Sequence, residues 1–467
     1  MANLMLPESL VAMLLSFQEC FTAPSFRNFT VIMAGWLHCL GRHTITAVAL
    51  ASGNVGERHI SVFHRFFSRA QWSLDAVGHV VFRLALKWLP DDQPIFLPLD
   101  DTLARKSGKC IALASIHHDP LLSSGKRPFF SYGHCWVVLA LWVPLPMFGL
   151  SKGFALPFLF RLFVGTKRGA EKDAPSQHRT RKRLRRARQA FRRHKYRTKL
   201  ELALETLQLL ASWAPERKFY VVCDSLYAGR VILQGRPDNV EVISRLRMDA
   251  ELYEQPPKRK KGQIGRPRIR GKRLPTPQRT AQHTKRWRPL KVDIYGRKLT
   301  TLITERVAIW YYPLRTAPVK IVIVRDPKRH RKDEAFFCTD TSVDARFILE
   351  GFARRWSLEV TFHDAKQFLG FEDPQNQSEK AVHRTAPMAC IAYDIVVLWY
   401  ADHIACRRKP PWLVKPWYRR KATPSLPDML TAARRAGWRV YVSDPSFRKR
   451  RPKNSIARWH EAVLATA

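Results

Sequence analysis

Apolar residues from Leu4 to about Leu89 recur at three- and four-residue spacings with short polar gaps, the period of packed helices. After Pro94 the texture changes. The run "PIFLPLDD" is short, apolar and ends in two carboxylates, which predicts a buried strand. "CIALASI" and "GHCWVVLALWVPL" predict two more, and a dense basic run from His178 to Lys199 leads into an amphipathic helix, "LELALETLQLLASWA". "RKFYVVCDS" predicts a second buried strand closing on an acid, Asp224, and "NVEVISRLR" a further strand. The stretch "PPKRKKGQIGRPRIRGKRLPTPQRTAQ" has little to bury and predicts a loop. Strand-like text returns in "LTTLITERVAIWYYPL", "VKIVIVRD" and "EAFFCTD". A helix over Arg354 to Gly370 and an apolar helix, "APMACIAYDIVVLWYADHI", follow. The tail from Arg407, with Trp412, Trp417 and Trp438, is basic and aromatic and announces no element.

Charge sharpens this picture. The 467 residues are 46% hydrophobic, enough for a sizeable core, yet 81 Lys and Arg face only 38 Asp and Glu, a formal net charge of +43. Such a chain repels itself unless a polyanion is its usual partner, and nucleic acid is the first candidate, ahead of an anionic membrane surface. The basic run at 178–199 reads as a phosphate-tracking surface, against the plainer alternative of a solvated face. In "ERHISVFHRFFSRAQWSLDAV", Phe63, Phe66, Phe67 and Trp72 suit either a DNA-docking helical domain or an ordinary bundle. The eight cysteines are scattered, with no C-x-x-C pair, which argues against a zinc site or a disulfide framework and fits a reducing cytoplasm. The first residues lack the positive region of a signal peptide. Prolines and charges interrupt the apolar stretch from Cys135 to Val164, so core strands are expected there and no membrane span.

Three acids stand out by position: Asp100 or Asp101 at the end of one buried strand, Asp224 at the end of another, and Glu359 on the late helix. For any one of them a cap or a salt bridge is the ordinary role. Strand ends present side chains to a shared crevice, and three acids in the order strand, strand, helix suit a two-metal phosphodiester site. Hard oxygen ligands favour Mg²⁺ or Mn²⁺. On the late helix, Arg355, Glu359 and Lys366 fall on one face with His363, and Phe352 extends it. Leu349, Ala353, Trp356 and Val360 form the stripe expected to be buried.

These motifs resemble those of the bacterial insertion-sequence transposases of the DDE superfamily, in the subgroup whose last acid lies in Y-x2-R-x3-E-x6-K. Phe352, Arg355, Glu359 and Lys366 match those spacings, with Phe in place of Tyr and therefore one hydroxyl fewer. "LDDT" resembles the first motif and "VVCDS" the second, and the likeness runs from about Phe96 to Gln375. The resemblance implies a ribonuclease H-like α/β fold, a mixed sheet flanked by helices and interrupted by a strand-rich insertion. It implies Asp100, Asp224 and Glu359 as catalytic metal ligands for two Mg²⁺ or Mn²⁺ ions, with Asp101 the alternate to Asp100. Arg355 and Lys366 are expected to contact DNA phosphates, and Trp310, with Tyr311 and Tyr312, to offer an insertion aromatic for stacking on a base near the cut.

The expected organisation is a helical DNA-binding domain at 1–92 and a catalytic core in two parts, 93–250 and 341–408. A basic, strand-rich insertion at 251–340 separates the parts, and a basic region at 409–467 follows. The expected activity is cut-and-paste transposition on double-stranded DNA by a homodimer in the bacterial cytoplasm, with no membrane role. A nuclease without strand transfer, or a non-catalytic DNA-binding derivative, is the alternative.

Overall fold

The computed structural model describes residues 5–53, 58–91, 93–125, 127–145, 152–166, 178–257, 264, 266–405, 421 and 423–443. Trp412, Trp417 and the lysine-rich start of the basic loop, 258–263 with Gly265, lie outside them. Five helices come first: α1 (Glu8–Leu15), α2 (Ala23–His38), α3 (Ile45–Ala51), α4 (Ser61–Ser68) and α5 (Leu74–Leu86). Local chemistry marks their starts, since the Thr44 and Ser73 side chains accept from the third residue on and cap α3 and α5. Then come β1 (Ile95–Arg105), β2 (Ser115–His118), β3 (Phe130–Pro144) and β4 (Gly153–Phe163). The basic run forms α6 (His178–Arg193), and a Thr198–Glu201 capping box starts α7 (Lys199–Trp213) as a separate helix. The chain continues through β5 (Phe219–Cys223), α8 (Arg230–Gly235), β6 (Val240–Leu246), two short pieces, β7 (Leu252–Tyr253) and β8 (Arg273–Leu274), and α9 (Pro277–His283). A hairpin of β9 (Arg288–Ile294) and β10 (Arg297–Ile309), the single turn α10 (Tyr311–Leu314), β11 (Pro318–Arg325) and β12 (Glu334–Cys338) follow. Four helices end the described chain: α11 (Ala345–Ala353), α12 (Trp356–Leu369), α13 (Glu379–Tyr400) and α14 (Leu426–Ser443).

The strands make one sheet. β3 pairs antiparallel with β4 on one side and with β1 on the other, and β5 and β6 then run parallel to β1. This β4-β3-β1-β5-β6 order is a ribonuclease H-like α/β fold. The sheet does not stop at β6: β12, β11 and β10 continue it antiparallel, so the insertion prolongs the core sheet. The apolar stretch from Cys135 to Val164 becomes the buried strands β3 and β4, as its interruptions predict. One apolar core runs from Leu6 in the first helical segment through the sheet to Ala433 of α14. Phe63, Phe66, Phe67 and Trp72 all belong to it; they pack a bundle and are not presented to solvent. Arg384 of α13 reaches into that bundle, stacks on Trp72 at 4.1 Å and donates to the carbonyl oxygens of Phe67, Ala70 and Trp72.

Several sequence expectations are corrected. β1 runs on to Arg105, so Asp100 and Asp101 lie inside a strand and not at its end. Only Ser115–His118 of the "CIALASI" region and its continuation is strand; the chain turns before it, with Leu113 at φ 58°. The late helix begins at Trp356, after a break at Arg354 and Arg355. The expected buried stripe is split: Leu349 is buried, but Trp356 and Val360 are 49% and 43% exposed. Leu358, Thr361, Phe362, Ala365 and Leu369 face the core instead, because the break rotates α12 relative to α11. The helix α14 went unpredicted, although Leu426, Met429, Leu430 and Ala433 carry a helical period.

Among the described residues one helical segment, Glu379–His403, is long and apolar enough to cross a membrane, and 94% of its most apolar 18-residue window is buried inside the protein. It is the central core helix. Asp394 lies within it, fully buried, and neither carboxylate oxygen has a hydrogen-bond partner among the described residues. Burial raises its pKa well above the usual carboxylate range. The folded form therefore binds the proton more tightly than the unfolded chain, so stability is present at low pH and declines as pH rises from about 4 toward the folded pKa. The Asp394→Asn variant is expected to lose this decline, gaining about 1.4 kcal/mol for each pH unit crossed. Urea midpoints at pH 5 and pH 8 measure the difference; equal slopes for both proteins would refute it.

Candidate active site

β1 and β5 run side by side in parallel, with Leu99 opposite Cys223. β5 ends there, while β1 continues against β3, pairing Asp100 with Val138 and Asp101 with Val137. Asp100 and Asp224 thus emerge at the same level on neighbouring strands, where the parallel pairing stops and a crevice opens. The N-terminus of α12 covers that crevice. From it, one nitrogen of Arg355, Nη1, lies 2.6 Å from Asp100 Oδ2 and 2.6 Å from Glu359 Oε1. The two carboxylate oxygens are therefore no farther apart than twice that contact. Asp224 is exposed, and its charge also acts on Arg355. The sheet and α12 bring Asp100 and Glu359 to one guanidinium, with Asp224 close enough for its charge to act on it.

The neighbouring acid goes elsewhere. Alternation along the strand turns Asp101 to the opposite face. There Lys199 Nζ lies 2.6 Å from its Oδ2, Tyr227 donates its hydroxyl at 2.8 Å, and the Cys135 thiol at 3.4 Å. Asp101 is neutralised within the fold. Among the described residues, Asp100 keeps only the Asp101 backbone N–H, at 2.8 Å, and Arg355. Burial pushes the Asp100 pKa up to about 6, against the pull of Arg355 and with the repulsion of Asp101 and Glu359. Burial works against the Arg355 charge too, yet Asp100, Glu359 and Asp224 hold its pKa above the ordinary arginine value.

Among the described residues, no three acid, histidine or cysteine side chains are grouped so as to hold a metal as they stand. Asp100 and Glu359 meet on Arg355 rather than on a common point. Their chemistry nonetheless fits a hard divalent ion: oxygen donors only, two of them already bridged by one cationic nitrogen.

The other predicted residues separate. Lys366 donates to the carbonyl of Leu103 at 2.7 Å and pairs with Glu372 at 3.3 Å, tying α12 to β1. His363 is largely exposed, with Nδ1 3.2 Å from Asp364. Trp310 does not reach the site. Strand registers carry Ile309 through Pro318 to the level of Tyr220, the end of β5 remote from Asp224, and four strands away. Trp310 instead packs edge-on against Phe337 at 5.2 Å; Tyr311 stacks with Arg270, and Tyr312 is exposed. Another insertion aromatic, Tyr295, lies on the α12 side of the sheet, in the lining of a cleft shared with Arg354 and Trp356.

Tyr295 and Gly296 form the two-residue tip of the β9–β10 hairpin, with φ of 56° and 70°. Both angles belong to the left-handed turn that matches strand twist, and a tyrosine there is unusual. The turn signal is the isolated Gly296, between the expected loop that ends at Gln282 and the strand text that begins at Leu299. Tyr295, Trp142, Phe154, Trp356, Val360 and Tyr393 line a cleft of about 850 Å³ beside α12, which explains the exposed stripe. Arg354 lies at its wall between the rings of Phe96 and Trp142, at 3.9 and 4.1 Å.

A family model described as "DDE superfamily endonuclease" matches residues 16–301, well over half of the chain. The match includes Asp100 and Asp224 and ends before Glu359, which the fold alone brings to them. No curated protein matches the chain.

Proposed function

Because the chain belongs to the DDE superfamily of endonucleases, whose substrate is DNA and whose members work with divalent metal ions, we propose that it is the transposase of an insertion sequence. It binds the element's terminal inverted repeats, cleaves there and joins the freed 3′-hydroxyl to target DNA by in-line transesterification. The observation that carries this reading is the Asp100–Arg355–Glu359 bridge with Asp224 beside it, at the open end of a ribonuclease H-like sheet.

Asp100, Asp224 and Glu359 are the residues that would hold two Mg²⁺ or Mn²⁺ ions, which when bound would supply Lewis acidity to the scissile phosphate and its nucleophile. The protein's own part is positional. β1 and β5 fix two carboxylates level with each other, and α12 brings the third down from above. Lys199 and Tyr227 hold Asp101 on the far face, so one acid of the pair serves the site. Lys366 keeps α12 seated on β1. Exposed cations of α6, among them Lys182, Arg185 and Arg192, extend a surface suited to phosphates. Pairing two element ends calls for two copies in the DNA complex.

The deciding experiment combines purified protein, Mg²⁺, a duplex carrying a pre-cut element end and a supercoiled plasmid. Joined product supports transposition; cutting without joining reduces the protein to a nuclease. In the same assay Asp100→Asn is expected to abolish product, whereas Asp101→Asn is expected to act mainly on thermal stability. The reverse outcome would reassign the first acid. DNA affinity is expected to fall with salt at a logarithmic slope of about −0.9 per phosphate neutralised.

A further inference from the structure

Among the described residues, no cation other than Arg355 is in ion-pair contact with Asp100 or Glu359. Its side chain is 16% exposed, and its guanidinium sits between two carboxylates that would repel each other without it. The seat does not satisfy it. Its Nε is buried and has no hydrogen-bond partner, and the bonds to Asp100 and Glu359 converge on a single terminal nitrogen. A guanidinium is best served by a planar, two-oxygen partner engaged through two nitrogens, as a phosphate offers. The carboxylates, for their part, are better neutralised by a doubly charged ion that makes no demand on direction. Each group in the triad thus has a better partner among the ligands of a DNA-processing site.

We propose that Arg355 is an exchangeable counter-cation, holding Asp100 and Glu359 together until a DNA phosphate draws it away and opens the carboxylates to a divalent metal. The exchange conserves charge pairs: the two Arg355–carboxylate contacts are replaced by a metal on the acids and a phosphate on the arginine. Arg355 is the N-cap of α12, next to the junction with α11, and rotation about its side-chain bonds moves the guanidinium while the backbone stays in place. Metal and DNA then bind cooperatively, and by linkage each strengthens the other by the same factor. Without DNA the site is closed by its own arginine, which limits stray hydrolysis. This inference rests on the reading of the three acids as metal ligands.

The test measures Mn²⁺ binding by the full-length protein, from the free-ion paramagnetic resonance signal, with and without a duplex oligonucleotide. Wild type is expected to bind Mn²⁺ at least about tenfold more tightly when duplex is present. Arg355→Gln is expected to bind it more tightly than wild type without DNA, with less than about a twofold further gain from duplex. Arg355→Lys, which keeps the charge but not the fork, is expected to fall between; it carries the comparison if circular dichroism shows the glutamine variant unfolded. Equal Mn²⁺ affinity of wild type and both variants without DNA, together with weakened binding by Glu359→Gln, would overturn the exchange while leaving the metal site intact. Unchanged Mn²⁺ binding by Glu359→Gln would overturn the site and the exchange together.

Discussion

Glu359→Gln is expected to reduce DNA cleavage and joining by about three orders of magnitude, the loss of several kcal/mol of transition-state stabilisation that removal of a metal-holding carboxylate entails. The substitution keeps the shape of the side chain and its place on the first turn of α12. It removes the charge that meets Arg355 at 2.6 Å and, on our proposal, one oxygen ligand of the metals. DNA affinity measured without divalent metal is expected to remain within about threefold of wild type, since phosphate contacts spread over many cations dominate it. Gel assays of cleavage and fluorescence anisotropy of a labelled duplex separate the two quantities. Cleavage near the wild-type rate would remove Glu359 from the catalytic set. A parallel loss of metal-free DNA binding would instead show that the helix had been displaced.

The second large effect is on stability. Trp36 of α2 is fully buried, and its indole N–H donates to the carbonyl of Leu369, the last residue of α12, at 2.9 Å. Gly370 follows in the left-handed conformation, with φ 65°, and ends the helix. One side chain from the first helical segment thus fixes the far end of the helix that carries Glu359. Trp36→Ala is expected to cost about 3–5 kcal/mol, from lost packing and an unpaired carbonyl. Trp36→Phe, which keeps most of the ring, is expected to cost less and to isolate the hydrogen bond's share of about 1 kcal/mol. Urea denaturation followed by fluorescence and circular dichroism measures both. A change below about 1 kcal/mol for the alanine variant would mean that this junction is not part of the cooperative core.

The parts legible in the sequence were those governed by local pattern. Period-two and continuous apolar runs located β1, β3, β5, β6 and β10 to β12, and the i, i+4, i+11 spacing aligned Arg355, Glu359 and Lys366. What pattern cannot carry is register. Strand pairing across the sheet carried Trp310 away from the acids, and a two-residue turn brought Tyr295 to the cleft beside α12. Sequence also left Asp100 and Asp101 open, because only the third dimension shows that Lys199 and Tyr227 wait on one face and α12 on the other. Arg355 was expected to face phosphates; that it closes on the acids instead depends on a break between α11 and α12 that no capping residue announces.

The continuation of the sheet from β6 into β12 has a practical corollary for anyone wishing to shorten the protein. Excising the segment between β6 and α11 would strip a hydrogen-bonded neighbour from an apolar strand and leave its amides and carbonyls open to a second molecule. A trimmed version would clump before its chemistry could be assayed. Miniaturisation has to begin farther out, at the β9–β10 end, and move inward one hairpin at a time.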